Sequence, residues 1–171
     1  MPEGHTEELG RYVDRCALLA PQFRWTPATN LHLTLRFLGH VDRTLAEGIA
    51  ERIEASRPHA FDLALDGLGT FKRGRLARVV WLGLSVGEAE IGRLAQSVEA
   101  ESVRAGLEAE GRRYHAHLTL ARARSREGAD LPELPPVPVL PAWRADRLVL
   151  YRSILGRGGS VYEELRGVSL A

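Results

Sequence analysis

Two stretches of the chain share one pattern: Leu31-His32-Leu33-Thr34-Leu35 and Ala116-His117-Leu118-Thr119-Leu120. In each, apolar residues alternate with a histidine and a threonine, the period-2 signature of a half-buried β-strand. Side chains two apart on a strand point the same way. Each stretch therefore sets an imidazole beside a hydroxyl on one face and turns its leucines to the other. One such pair could be a satisfied core pair. A chain of ordinary composition rarely repeats a given four-residue string within 171 residues. The repetition points to one site built from two halves.

The length suits one well-packed domain or two small lobes sharing an interface. With a formal net charge of +1, bulk electrostatics do not call for a nucleic-acid partner. There is no signal-peptide pattern and no apolar run long enough to span a bilayer. The single cysteine, Cys16, excludes an internal disulfide and a cysteine-built zinc site. Cys16 could be a nucleophile, but its apolar helical surroundings favour a buried packing thiol. A cytoplasmic location is expected.

Leu9, Val13, Cys16 and Leu19 or Ala20 are spaced for a helix over Glu7 to Leu19, ended by Pro21. Met1-Pro2-Glu3-Gly4 leaves no room for an element before it. Phe23 to Trp25 reads as extended and Pro27 to Asn30 as a turn. The first His-Thr strand is expected to continue to Gly39. Asp42 or Thr44 can cap a helix to about Ser56, with Leu45, Ile49 and Ile53 inward. Phe61 to Leu65 and Arg78 to Ser85 read as strands, with a turn region at Gly67, Gly69 and Gly74. A helix over Ile91 to Leu107 turns Ile91, Leu94, Val98 and Val103 inward, with Gly111 at its far side. After the second His-Thr strand, the prolines of Leu131 to Pro141 suggest a stiff surface crossing. Arg147 to Ile154 and Val161 to Val168 form a hairpin across Gly156-Arg157-Gly158-Gly159. Helices and strands mix without strict alternation, which predicts an α+β fold with largely antiparallel sheets. A helix followed by a His-Thr strand occurs twice, as in a duplicated half.

Histidine exchanges protons near neutrality. Two histidines across a bound substrate can activate a nucleophile and protonate a leaving group in one step. A threonine hydroxyl can donate to an anionic oxygen, and a phosphodiester has two non-bridging oxygens. His32, Thr34, His117 and Thr119 thus predict a phosphodiesterase that needs no metal and no cofactor. Arg112, Arg113, Arg122, Arg124 and Arg126 bracket the second stretch, and Arg24 and Arg36 flank the first, in keeping with an anionic ligand. Taken singly, most of them read as solvated surface. Phe37, Trp25 and Tyr114 are candidates to stack a base or ribose, although Trp25 and Phe37 read more readily as core than as a ligand platform. The rival chemistry is a metal site on His115 and His117 with His32 as third ligand. It leaves the repeated threonines without a role and offers no nearby carboxylate. His115 reads better as a groove-edge or solvated neighbour. His5, His40 and His59 read as surface.

Arg24-Trp25-Thr26-Pro27 with Asn30 to Gly39, His117 to Arg122, and Tyr151 to Leu155 with Gly158-Gly159 and Tyr162 together resemble the two-histidine phosphoesterase superfamily. Within it, the chain is similar to the RNA 2′,3′-cyclic phosphodiesterases, also called 2′-5′ RNA ligase-like proteins. The resemblance spans the chain from about Pro2. It implies one bilobed domain over residues 1–171, with two pseudo-symmetric antiparallel sheets, helices outside and a central groove. It also implies metal-independent opening of an RNA-terminal 2′,3′-cyclic phosphate to a 2′-phosphate. By the same resemblance His32 is the proton donor, His117 the proton acceptor, and Thr34, Thr119 and Arg122 hold phosphate. Arg122 lies an odd number of residues from His117, so that role requires a bulge or strand end. Members usually begin with an apolar strand that is absent here, which implies a late start site or a truncated member. Alternatives are a non-catalytic binder of RNA ends or nucleotides, and 2′-5′ joining of RNA ends by the reverse chemistry.

Overall fold

Leu9, Tyr12, Val13 and Cys16 recur at helical spacing, and all four are buried on one face of α1 (Glu3–Leu19). A computed structural model describes residues 1–156 and 159–171, with the side chain of Leu155 left aside. Among the described residues the fold is α+β, with three α-helices and two antiparallel sheets. The chain divides into two compact units. One comprises Met1–Leu33, Leu63–Val86 and Ala116–Trp143; the other comprises Thr34–Asp62, Gly87–His115 and Arg144–Ala171.

The α1 helix of the first unit packs on a five-stranded sheet. Its strands are β1 (Phe23–Trp25), β2 (Phe61–Arg73), β3 (Leu76–Val86), β4 (Leu118–Ala123) and β5 (Trp143–Ala145), in the order β1-β4-β3-β2-β5. The four α1 residues form one core with Leu31, Leu65, Leu82, Leu118 and Leu120. Ala20, Phe23, Ala77, Val80 and Ala121 form an adjoining one. Burying each of these leucines stabilises by about 1.5–3 kcal/mol. The core fixes which sheet face points away from α1.

In the second unit Ala50 and Ile53 of α2 (Arg43–Ala55), Val98 of α3 (Glu88–Arg104) and Val168 make the core. Val168 belongs to β7 (Gly159–Ser169), which pairs with β6 (Arg147–Gly156) as a two-stranded sheet. Arg166 ties β7 to α2 through Glu51 and Glu54, at 3.0 and 2.7 Å.

Several expectations are corrected. The first helix starts a turn earlier, at Glu3, because a tertiary contact holds that turn. His5, expected at the surface, is buried, stacks edge-on against Trp143 and donates from Nε2 to the Pro141 carbonyl at 2.8 Å. The first His-Thr stretch is not a strand to Gly39. It makes one isolated antiparallel bridge, Leu33 to Leu118, and passes into the second unit at Thr34. No turn region begins at Gly67. β2 runs on to Arg73, accommodating Gly67 at a bulge, and the chain reverses at Gly74. On α3, Ala95 and Ser102 are buried instead of Val103, and the helix is closed by Gly106 in the left-handed region, not by Gly111. The proline-rich connection is more than a surface crossing. Leu134, Val137 and Leu140 pack on the α1 core, and Tyr12 donates its hydroxyl to the Pro135 carbonyl. Arg157 and Gly158 of the expected C-terminal turn lie outside the described residues.

Candidate active site

The alternation of β4 turns Leu118 and Leu120 into the α1 core and leaves His117 and Thr119 half-buried on the opposite face. His32 precedes the bridged pair Leu33–Leu118. Antiparallel pairing therefore runs it toward Thr119 on the neighbouring strand. His32, His117 and Thr119 thus lie on one unit and share the face away from α1. His32 Nδ1 lies 2.7 Å from the Asn30 carbonyl. A carbonyl only accepts, so Nδ1 carries the hydrogen of this contact.

Arg122 reaches the same face through an irregularity in the ladder. Val80 pairs with Ala121 but Trp81 pairs with Thr119, so Leu120 is an extra residue on β4. Leu120 and Ala121 are consequently buried in succession, and Arg122 emerges exposed in phase with Thr119. This is the bulge that its odd spacing requires. Across the next strand Arg24 is the direct partner of Arg122.

Two aromatic residues that the sequence did not single out border His117. The Phe71 ring stands edge-on to the imidazole with centroids 5.0 Å apart, and the Trp81 ring is tilted at 6.2 Å. Trp81 lies across Gly69, where an added Cβ would collide with the indole. The signal was a glycine paired with an aromatic across a hairpin. Three irregularities between β2 and β3 hid that register.

The other expected residues belong to the second unit. Thr34 opens it and is half-buried. Phe37, read from the sequence more readily as core, is instead 69% exposed, so its ring is available to a ligand. Tyr114 is half-buried, and burial pushes its phenol up to about 12. Arg36 is not available as a substrate cation. Its side chain is 8% exposed, pairs with Glu99 and donates to the Glu108 carbonyl at 2.6 Å. His115, His40 and His59 are exposed. Trp25 is half-buried and donates to the Ala20 carbonyl at 3.0 Å, a core role. Cys16 is buried and burial raises its thiol pKa, which suits packing and not nucleophilic attack. Among the described residues no group of three histidine, cysteine or carboxylate side chains is placed to hold a metal. No described helix is long and apolar enough to cross a membrane.

The family model for LigT-like phosphoesterases matches residues 1–81 and 84–162. The chain is 33% identical over 168 residues to an RNA 2′,3′-cyclic phosphodiesterase of Aeropyrum pernix, covering 95% of each chain. It superposes on the crystal structure of Escherichia coli LigT complexed with NADP+ with a TM-score of 0.83 at 28% identity, over 99% of this chain and 92% of that one. The same protein complexed with 3′-AMP aligns at 0.76 and 27%, over 94% and 92%. A match of this extent, on a fold with two antiparallel sheets and a histidine-threonine face, makes the chain a member of the LigT-like phosphoesterase family.

Proposed function

We propose that this chain hydrolyses the 2′,3′-cyclic phosphate at an RNA end to a 2′-phosphate, with no metal, in the cytoplasm. The supporting observation is that His32, His117, Thr119 and the bulge-phased Arg122 share one sheet face. The activity named for the relatives and the nucleotides bound to LigT fit this reading.

In this reading a water oxygen attacks phosphorus and gives its proton to His117. The P–O3′ bond breaks in line, and His32 delivers a proton from Nε2 to the leaving 3′ oxygen. The products are a 2′-phosphomonoester and a free 3′ hydroxyl. Thr34 and Thr119 donate to the non-bridging oxygens, and the Arg122 guanidinium offsets charge that builds on them. Phe37 and Tyr114 take the base or ribose. The Asn30 carbonyl holds the His32 ring in the tautomer that leaves Nε2 on the substrate side.

The test is turnover of a 2′,3′-cyclic nucleotide in excess chelator, with His32→Ala and His117→Ala alongside. The expected result is chelator-resistant hydrolysis that each variant lowers by about 10²–10⁴-fold in kcat. Loss of activity with chelator, or wild-type rates in either variant, would refute the mechanism. Ligand binding without turnover would make the chain a binder of RNA ends.

A further inference from the structure

We propose that Arg24 forms, beside Arg122, a second phosphate subsite for the internucleotide phosphodiester on the 5′ side of the cyclic end. The chain would then favour RNA ends over cyclic mononucleotides. This rests on the function proposed above and names a substrate feature that the four motif residues do not address.

Arg24 and Arg122 are direct cross-strand partners on β1 and β4, flanked by the pairs Phe23–Ala123 and Trp25–Ala121. Residues directly opposite share a sheet face, and the Leu120 bulge has put Arg122 on the face of Thr119. Both arginines are exposed. Like charges directly opposite one another destabilise a sheet. A fold normally offsets this with a carboxylate, as Arg73 of the same sheet does with Glu127 at 3.1 Å. Arg124, two residues on from Arg122, is bound to the Pro21 carbonyl. Among the described residues the side chains of Arg24 and Arg122 have neither kind of partner. A phosphodiester would supply the missing charge, and the planar guanidinium matches it with paired hydrogen bonds.

The position selects which phosphate. Thr119 belongs to the reacting group. Arg122 lies further along β4, and Arg24 sits one strand spacing beyond it, about 5 Å. The pair therefore lies beyond Thr119 in the direction along β4 that runs away from His117 and from the Leu33–Leu118 bridge beside His32. A 2′,3′-cyclic phosphate occupies the last ribose of an RNA chain, so the only neighbouring phosphate is the one joining that ribose to its 5′ neighbour. A mononucleotide has none.

The experiment compares a cyclic mononucleotide with a dinucleotide ending in a 2′,3′-cyclic phosphate, for the wild type, Arg24→Ala and Arg24→Lys. The wild type is expected to favour the dinucleotide about tenfold in kcat/KM. Arg24→Ala should erase that ratio through KM, and Arg24→Lys should restore part of it. The salt dependence of dinucleotide KM should fall by roughly 0.7 in log–log slope, the share of one single-strand phosphate contact. Thermal stability of Arg24→Ala should hold or rise, because a like-charge pair is relieved; a structural role would lower it. Equal effects on both substrates, or no wild-type preference, would overturn the subsite. If the wild type turns over neither substrate, the proposed reaction fails. Calorimetric binding of the 2′-phosphorylated dinucleotide and mononucleotide then still decides the subsite, by whether Arg24→Ala weakens only the dinucleotide.

Discussion

At the scale of single residues, environment separates side chains that sequence treats alike. Arg36 and Arg122 both lie close to a His-Thr stretch, yet one is buried against Glu99 and the other stands exposed beside Arg24. Histidines divide in the same way: His5 is a buried strut and His40 an exposed loop residue. The pattern His-x-Thr was readable because alternation is local. The fate of each arginine was not, because its partner lies tens of residues away. Tyr114 carries a pH prediction. Burial holds its phenol neutral up to about 12, whereas in the unfolded chain it ionises near its ordinary value of 10. Between these limits the native state binds the extra proton, so this group's contribution to stability is full below pH 10 and is lost as pH rises from about 10 toward 12. Urea midpoints measured across that range should show the decline, and Tyr114→Phe should reduce it. Tyr12 is displaced the same way by burial, so the variant flattens the curve only in part.

At the scale of elements, hydrophobic spacing located α1, α2, α3 and most strands to within a turn. It could not register one strand against another. Bulges decide which residues face each other, and they depend on pairing rather than on local pattern. β5 was missed altogether, a three-residue strand following a run of prolines. The hairpin of β2 and β3 shows the cost of losing register: the glycines looked like a turn, whereas Gly69 makes room for Trp81 beside His117. Gly69→Ala should force the indole to move, costing about 1–3 kcal/mol as overpacking does. The check is a lower denaturation midpoint with a changed tryptophan emission spectrum. Wild-type stability and emission would show that Trp81 does not depend on that space.

At the scale of the whole molecule, the α1 core of the first unit and the α2–α3 core of the second share no residue. The α+β class and the duplicated arrangement of helix and His-Thr stretch were legible. The passage of the first stretch out of one unit and into the other was not, since both sides of that boundary read as one alternating strand. Leu120→Ala and Ile53→Ala each remove a fully packed side chain, one from each core, and should each cost about 2–5 kcal/mol. With no shared partners, the double variant should equal the sum within about 0.5 kcal/mol. Denaturant titration of the four proteins measures this, and a larger departure would mean that the cores are energetically coupled.

The extra residue at Leu120 has a consequence for how the gene can vary. Exchanging Leu120 for another apolar residue alters only the filling of the core. Deleting it would shorten β4 by one position and return the ladder to even pairing with Arg122 still in phase with Thr119, while taking a leucine out of the α1 core. What holds the extra residue in place is therefore the core that Leu120 fills, because the arginine keeps its face with or without it. A relative one residue shorter there would present the same face over a smaller core.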